Sequence, residues 1–276
     1  MNHKRVHHLL FFMFTLITLC FVSCSEPREH SEFDPDLSQG TWVDLTYPFD
    51  STTIYWPTDT KGFSLDTVSF GSTGQNYFYA AFSFCSAEHG GTHLDAPVHF
   101  ANGKKSVEAL GLDQLIGRAM VIDVSDKALE DSDYLVTIED FKAWESENGP
   151  LPEQSIVLLR TGYGKFWPDR EAYLGTSLTG LKAVQNLHFP GLSPEAALWL
   201  TKEKNIKAIG LDTPSIDYGQ SSTFESHRIL FAHNIPAFEN LANLDQLPIQ
   251  GAWILALPMA ISGGSGAPLR AVAWIP

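Results

Sequence analysis

His89-Gly90-Gly91-Thr92-His93-Leu94-Asp95-Ala96-Pro97-Val98-His99-Phe100 places three imidazoles and a carboxylate within eleven residues. Neutral imidazole nitrogens and carboxylate oxygens are the ligand types that suit Zn²⁺, Mn²⁺ or Fe²⁺. The spacing limits the geometry. On a helix His89 and His93 would share a face, but Gly90, Gly91 and Thr92 are poor helix formers and Pro97 follows closely. Gly90 also stands where a zincin helix carries its glutamate base. The segment reads instead as a glycine-rich loop entering a short extended stretch, in which His93 and Asp95, two apart, point to one face. The glycines allow backbone to come close to a metal or substrate.

Two polar residues stand out downstream. His227 lies in Glu225-Ser226-His227-Arg228 on a predicted helix, and Glu239 lies in the apolar, extended Ile235-Pro236-Ala237-Phe238-Glu239-Asn240. A glutamate among Ala, Phe and Leu is costly to bury unpaired, and a metal ion or an arginine partner would offset that. Taken singly, His227 also reads as a surface or capping histidine, and Glu239 as an acid at a strand end.

The elements that must position these residues are mixed. Strand-like runs cover Trp42–Leu45, Phe63–Phe70, Asn76–Cys85, Ala119–Val124, Ser155–Arg160, Ala208–Leu211, Ala252–Leu257 and Ala271–Trp274. Thr137-Ile138-Glu139-Asp140 reads as a capping box opening a helix to about Glu147, which Gly149-Pro150 stops. Ser193-Pro194-Glu195 opens a second helix to about Lys204, with an N-cap, a first-turn proline and a first-turn acid. A third spans Phe224 to Phe231, and a short one Val107 to Ile116. This is an α/β or α+β composition, and no linker or repeat divides residues 41–276.

Residues 1–23 carry Lys4 and Arg5, no acids, and an apolar run from Leu9 to Val22. That run is shorter than the roughly 20 residues of a membrane span and fits a signal-peptide core. Phe21-Val22-Ser23-Cys24 resembles a bacterial lipobox, with Phe where Leu is usual; cleavage there leaves Cys24 as a lipidated terminus, and residues 24–40 read as a flexible tether. The expected location is exported, anchored at the periplasmic face or cell surface of a bacterium. Loss of Lys4 and Arg5 with the leader takes the net charge from −14 to −16, which argues against nucleic acid or an anionic membrane surface as partner. Cys85 is then the one cysteine of the body, so no internal disulfide forms. Phe82-Ser83-Phe84-Cys85 reads as a buried strand with no catalytic role for the thiol.

The chain resembles the cyclase family of metal-dependent hydrolases, which includes bacterial kynurenine formamidase and isatin hydrolase. The resemblance rests on residues 89–100, on Tyr55-Trp56-Pro57-Thr58-Asp59 (Thr58 replacing the usual Gly), on Arg160-Thr161-Gly162-Tyr163, on Pro190-Gly191-Leu192-Ser193 and on Gly210-Leu211-Asp212-Thr213-Pro214-Ser215-Ile216-Asp217. The His227–Glu239 segment and Gly263-Gly264-Ser265-Gly266-Ala267-Pro268-Leu269-Arg270 complete it, in one order from Trp42 to Ala273. By position, the resemblance implies that His89, His93 and Asp95 bind one metal. Asp95 then bridges to a second held by His227 and Glu239, and His99 transfers protons from outside the first ligand set. It further implies a mixed, barrel-like β core of the swivelling β/β/α type with flanking helices, often as a homodimer.

Two divalent ions, Zn²⁺ or Mn²⁺, would activate water for attack on an amide or lactone carbonyl, with His99 returning a proton to the leaving nitrogen. The small-molecule substrate expected is an aryl formamide such as N-formylkynurenine, or a cyclic amide such as an isatin-like ring. Trp56, Tyr163 and Trp167 are the candidates to stack on its ring. Asp212, Ser215 and Asp217 either support the ligands or cap a turn. Two other readings use the same residues: a lipid-anchored binding protein without turnover, and a cyclase or dehydratase. Nucleophile-elbow, dinucleotide and P-loop motifs are absent from the sequence.

Overall fold

A computed structural model describes residues 37–59 and 61–276. The leader, Cys24 and the tether as far as residue 36 lie outside the described residues, and with them the expectations of cleavage and lipidation.

Strands β1 (Thr41–Asp44), β2 (Ser64–Ser72), β3 (Phe78–Cys85) and β4 (His93–Asp95) precede β5 (Ile116–Asp123). They are followed by β6 (Leu135–Val136), β7 (Ile156–Arg160), β8 (Gly191–Leu192) and β9 (Ala208–Leu211). The chain ends with β10 (Ala237–Glu239), β11 (Gln250–Pro258) and β12 (Gly266–Ile275). The order β12-β11-β5-β7-β9-β10-β4 closes on itself, because β4 also pairs with β12. The result is a seven-stranded barrel, with β1 added along the far end of β12. β5, β7, β9 and β10 run parallel, and the remaining pairings of the ring are antiparallel.

The sequence explains this arrangement. β7 (Ile-Val-Leu-Leu-Arg) and β9 (Ala-Ile-Gly-Leu) are continuous apolar runs, as parallel strands buried on both faces require. The two-residue side-chain period sends Val121, Ile156 and Leu158 into the barrel with Leu94, Phe238 and Ile254. Their neighbours Ile122, Val157 and Leu159 face outward, against Phe141, Leu200 and Leu230. The latter three come from helices on the outside of the barrel, Ile138–Asn148, Glu225–Ala232 and the turn that extends Pro194–Trp199.

The helix starts lie where the capping residues put them. The Thr137 backbone N–H donates to Asp140 Oδ2 at 2.7 Å, and Ser193 Oγ accepts from the Ala196 N–H at 3.1 Å. Three short helices, Ser125–Glu130, Arg170–Leu174 and Leu181–Val184, were not foreseen. Each has at most six residues, too few for a helical period to show in sequence.

One expectation needs correction. β2 and β3 form an antiparallel hairpin that pairs only with itself among the described residues, and most of β3 is exposed, Cys85 included. The alternation Phe82-Ser83-Phe84 does set the aromatic side chains on one face. Alternation reports that a strand has an apolar face; it does not report whether the same chain covers it.

Candidate metal centre

The closing strand β4 carries the centre. Its register sets His93 opposite Glu239 of β10 and Asp95 opposite Gly266 of β12. Leu94, between the two, fills the barrel interior, so His93 and Asp95 face the other way. The preceding loop is held by close approach. A Cβ on Gly90 would sit 2.1 Å from the Tyr55 ring, and one on Gly266 would sit 2.6 Å from the His89 ring, so glycine is needed at both positions.

Five side chains converge on Asp95. His89 Nδ1 lies 2.7 Å from Asp95 Oδ1, and His93 Nε2 lies 3.1 Å from the same oxygen. His227 Nε2 is 3.3 Å and His99 Nε2 is 4.0 Å from Asp95 Oδ2. Glu239 completes the group, with Oε2 3.4 Å from His93 Nε2 and Oε1 3.2 Å from His227 Nε2. Asp95, His93, His227 and Glu239 are all buried. His89 and His99 are partly open and stack on each other with ring centroids 3.8 Å apart.

Hydrogen bonds on the far side of each ring fix which nitrogen points inward. His93 Nδ1 donates to the Gly91 carbonyl at 3.0 Å, and His227 Nδ1 lies 2.5 Å from Asp217 Oδ2. Both rings therefore present a bare Nε2 to the space between Asp95 and Glu239. Asp217 in turn accepts from the backbone N–H groups of Ser226 and His227, so it ties the start of helix Glu225–Ala232 to the site. His89 is held differently. The Ser265 hydroxyl donates to Glu88 Oε2 at 2.6 Å, which leaves its oxygen to accept from His89 Nε2 at 2.9 Å. His89 Nδ1 is then the bare nitrogen, aimed at Asp95.

These residues fit a cation. Lone pairs on His89, His93 and His227 face carboxylate oxygens across about 3 Å, an arrangement that repels unless positive charge lies between. His93 Nε2 is buried and makes no hydrogen bond. Protons supply that charge when nothing else does. Burial would lower the His93 imidazole, but Asp95 and Glu239 outweigh it and raise it to about 9. Burial likewise opposes charge on His227, and Asp217, Asp95 and Glu239 outweigh that too and push it well up. Metal ligation replaces such protons. Donor atoms gather as two triads, His93–Asp95–Glu239 and His89–Asp95–His99. The second triad includes His99, whose Nε2 lies farther from Asp95 than the nitrogens of His89, His93 and His227. Burial pushes His99 down to about 4, against the upward pull of the Asp95 charge and with the neighbouring imidazoles adding to the depression, so it is neutral at pH 7.

A cavity of about 400 Å³ opens over this floor, walled by Tyr55, Trp56, Phe100 and Phe224. Trp56 thus lies where it was expected. Tyr163 and Trp167 do not, which corrects that expectation. Tyr163 is buried in an aromatic cluster with Tyr173 and Phe189, and Trp167 stacks on Tyr47 at 4.3 Å, so both are spent on packing. Asp212 does not line the cavity; it accepts from the backbone N–H groups of Thr161 and Gly162 and from the Thr161 hydroxyl. Ser215 lines the cavity. The roles of Glu88 and Ser265 were not foreseen, and only the glycines around Ser265 hinted at a close approach.

A model of the Cyclase family matches residues 43–218. The isatin hydrolase of Roseibium aggregatum is 36% identical over 197 residues, 68% of this chain and 72% of that protein. The kynurenine formamidase of Bacillus mycoides is 31% identical over 234 residues, 84% of this chain and 96% of its own length. Among solved structures, isatin hydrolase A from Ralstonia solanacearum superposes with a TM-score of 0.77 at 32% identity, covering 87% of this chain and 93% of that one. The barrel, the order of motifs along it and these likenesses agree: the chain belongs to the Cyclase family.

Proposed function

We propose that this protein is a metal-dependent hydrolase that opens a C–N bond at a carbonyl, in an aryl formamide such as N-formylkynurenine or a cyclic amide such as isatin. The observation that carries the reading is the convergence of imidazole nitrogens on Asp95 and Glu239 beneath an aromatic-walled cavity. His89, His93, Asp95, His227 and Glu239 would hold the divalent metal, two ions of Zn²⁺ or Mn²⁺ in this reading. When bound, the metal acidifies water and polarises the substrate carbonyl.

The chain's own residues do the rest. His99, neutral at pH 7, takes a proton at Nε2 from the attacking water and passes it to the leaving nitrogen as the C–N bond breaks. The Asp95 charge, 4.0 Å away, stabilises the imidazolium while it lasts. Stacking on His89 holds the His99 ring in place. Trp56 and Phe224, with ring centroids 6.2 Å apart, and Phe100 offer apolar faces to a planar substrate and exclude water from the scissile bond. Export as a lipoprotein anchored through Cys24, and assembly as a homo-oligomer, belong to the same reading.

The test strips metal from the protein and reloads it with Zn²⁺ or Mn²⁺, then assays N-formylkynurenine and isatin. Turnover that returns only on reloading supports the reading and ranks the two substrates. No turnover of either compound with either metal overturns it.

A further inference from the structure

Asn240 follows Glu239 directly at the end of β10 and is buried. Its φ of 53° turns the chain out of the strand, a left-handed conformation that asparagine tolerates better than most residues. Its backbone and its side chain both reach the loop that carries His93. The Asn240 carbonyl accepts from the Thr92 hydroxyl at 2.7 Å, and Asn240 Nδ2 donates to the Gly91 carbonyl at 2.7 Å. That Gly91 oxygen also accepts from His93 Nδ1, so both of its lone pairs are used. The same oxygen decides which way the amide faces. Asn240 Oδ1 at this distance would repel it, so the nitrogen must face it. Oδ1 is left to the fully buried Tyr173, whose hydroxyl donates to it at 2.9 Å.

We propose that Asn240 is a positioning residue for the metal centre, and that Tyr173 keeps its amide the right way round. The action runs through Gly91. A glycine carbonyl turns with little backbone resistance, and here the Asn240 amide pins it. With the carbonyl pinned, the His93 ring keeps a proton on Nδ1 and presents Nε2 to Asp95 and Glu239, 3.1 and 3.4 Å away. Without the amide, the carbonyl can turn away. The ring is then free to rotate or to place its proton on Nε2, the atom a metal needs. Tyr173 acts one step further back. Without its hydroxyl, nothing holds Oδ1, and the amide can turn over and set oxygen against the Gly91 carbonyl. Because Asn240 is bonded to Glu239, one residue governs both members of the His93–Glu239 pair, which the β4–β10 register sets opposite each other. The inference rests on the metal reading above and holds whichever substrate is cleaved.

Two measurements test it on Asn240→Gly and Tyr173→Phe: Zn²⁺ affinity by competition with a chromophoric chelator, and the visible absorption bands of the Co²⁺-loaded protein. Glycine accepts the positive φ without strain, so Asn240→Gly removes the amide and keeps the turn. Asn240→Gly should bind Zn²⁺ about 10- to 100-fold more weakly and show altered Co²⁺ bands, with an unchanged far-ultraviolet spectrum. Tyr173→Phe should shift both readings in the same direction by less. Leu187→Ala, which opens a void in the aromatic cluster that holds Tyr173, is the control for loosening alone. It should lower the urea midpoint and leave both metal readings at their wild-type values. Wild-type affinity and bands in Asn240→Gly overturn the proposal and leave the metal reading standing. Bands that move as far in Leu187→Ala overturn it too, because any loosening then suffices. A wild type that binds neither ion overturns the metal reading and this proposal with it. Should Asn240→Gly not fold, Tyr173→Phe decides by the same two measurements, and wild-type values there overturn the proposal.

Discussion

Ser265 Oγ accepts from His89 Nε2 at 2.9 Å because its own proton is committed to Glu88 at 2.6 Å. The carboxylate therefore sets, through one hydroxyl, which nitrogen of His89 is left bare. Ser265→Ala removes the acceptor and frees the ring to change tautomer or turn. The expected outcome is a metal affinity about 10- to 100-fold weaker, measured by competition with a chromophoric chelator, in a protein whose circular dichroism is unchanged. Equal affinity in variant and wild type would refute the role of this relay.

His99→Ala separates catalysis from metal binding. Loss of a general base of this kind lowers kcat by about 10²- to 10⁴-fold. Metal content measured by mass spectrometry should stay at the wild-type value, because Asp95 keeps His89, His93 and His227 as partners. A variant that loses its metal instead would make His99 a ligand, as its place in the His89–Asp95–His99 triad allows. A variant with full rate would remove His99 from the proton transfer.

Glu239→Gln probes the number of ions. Glu239 faces both His93 and His227 and also accepts from the Ile216 backbone N–H at 2.8 Å. The amide keeps the shape but removes the charge, so the bound metal should fall from two ions per chain to one. A wild type that already holds a single ion at saturation would rule out the two-ion reading.

Asp140 gives a prediction in pH, remote from the centre. Burial opposes its ionisation, but Lys127 at 2.6 Å and the Thr137 backbone N–H outweigh that and lower the carboxyl below the ordinary 3.8. A depressed carboxyl adds stability above its unfolded value, and that stability is lost as pH falls through the folded one. Asp140→Ala should therefore be less stable than wild type at pH 7 by about 1 kcal/mol, the usual worth of a helix cap. In urea unfolding the gap should narrow steadily below pH 4. A gap that widens in acid would contradict the sign.

The core of the candidate site was legible because its imidazoles and carboxylate crowd into one stretch. Glycines excluded a helix around His89 and His93, and the period of a strand put His93 beside Asp95. His227 and Glu239 were visible only as polar residues in apolar company. What joins them to Asp95 is barrel closure, which brings together residues 132 apart in sequence and has no local signature. Glu88 was illegible because its link to His89 passes through Ser265, 177 residues away. Tyr163 and Trp167 misled because an aromatic side chain near a motif looks the same whether it lines a cavity or packs beside one. The helix starts at Thr137 and Ser193 were readable because capping is local chemistry.

The strand that bears His93 and Asp95 is three residues long, and it is also the last stave of the barrel, joining β10 to β12. Few backbone hydrogen bonds close that seam, so a cation held by Asp95, His93 and Glu239 would act as a clasp across it. Loss of metal should thus be felt first as local unzipping at 93–95, 237–239 and 266–268. Mechanical integrity of the barrel and readiness for chemistry would then be one property, and a chain without its ion would open to proteases at this seam first.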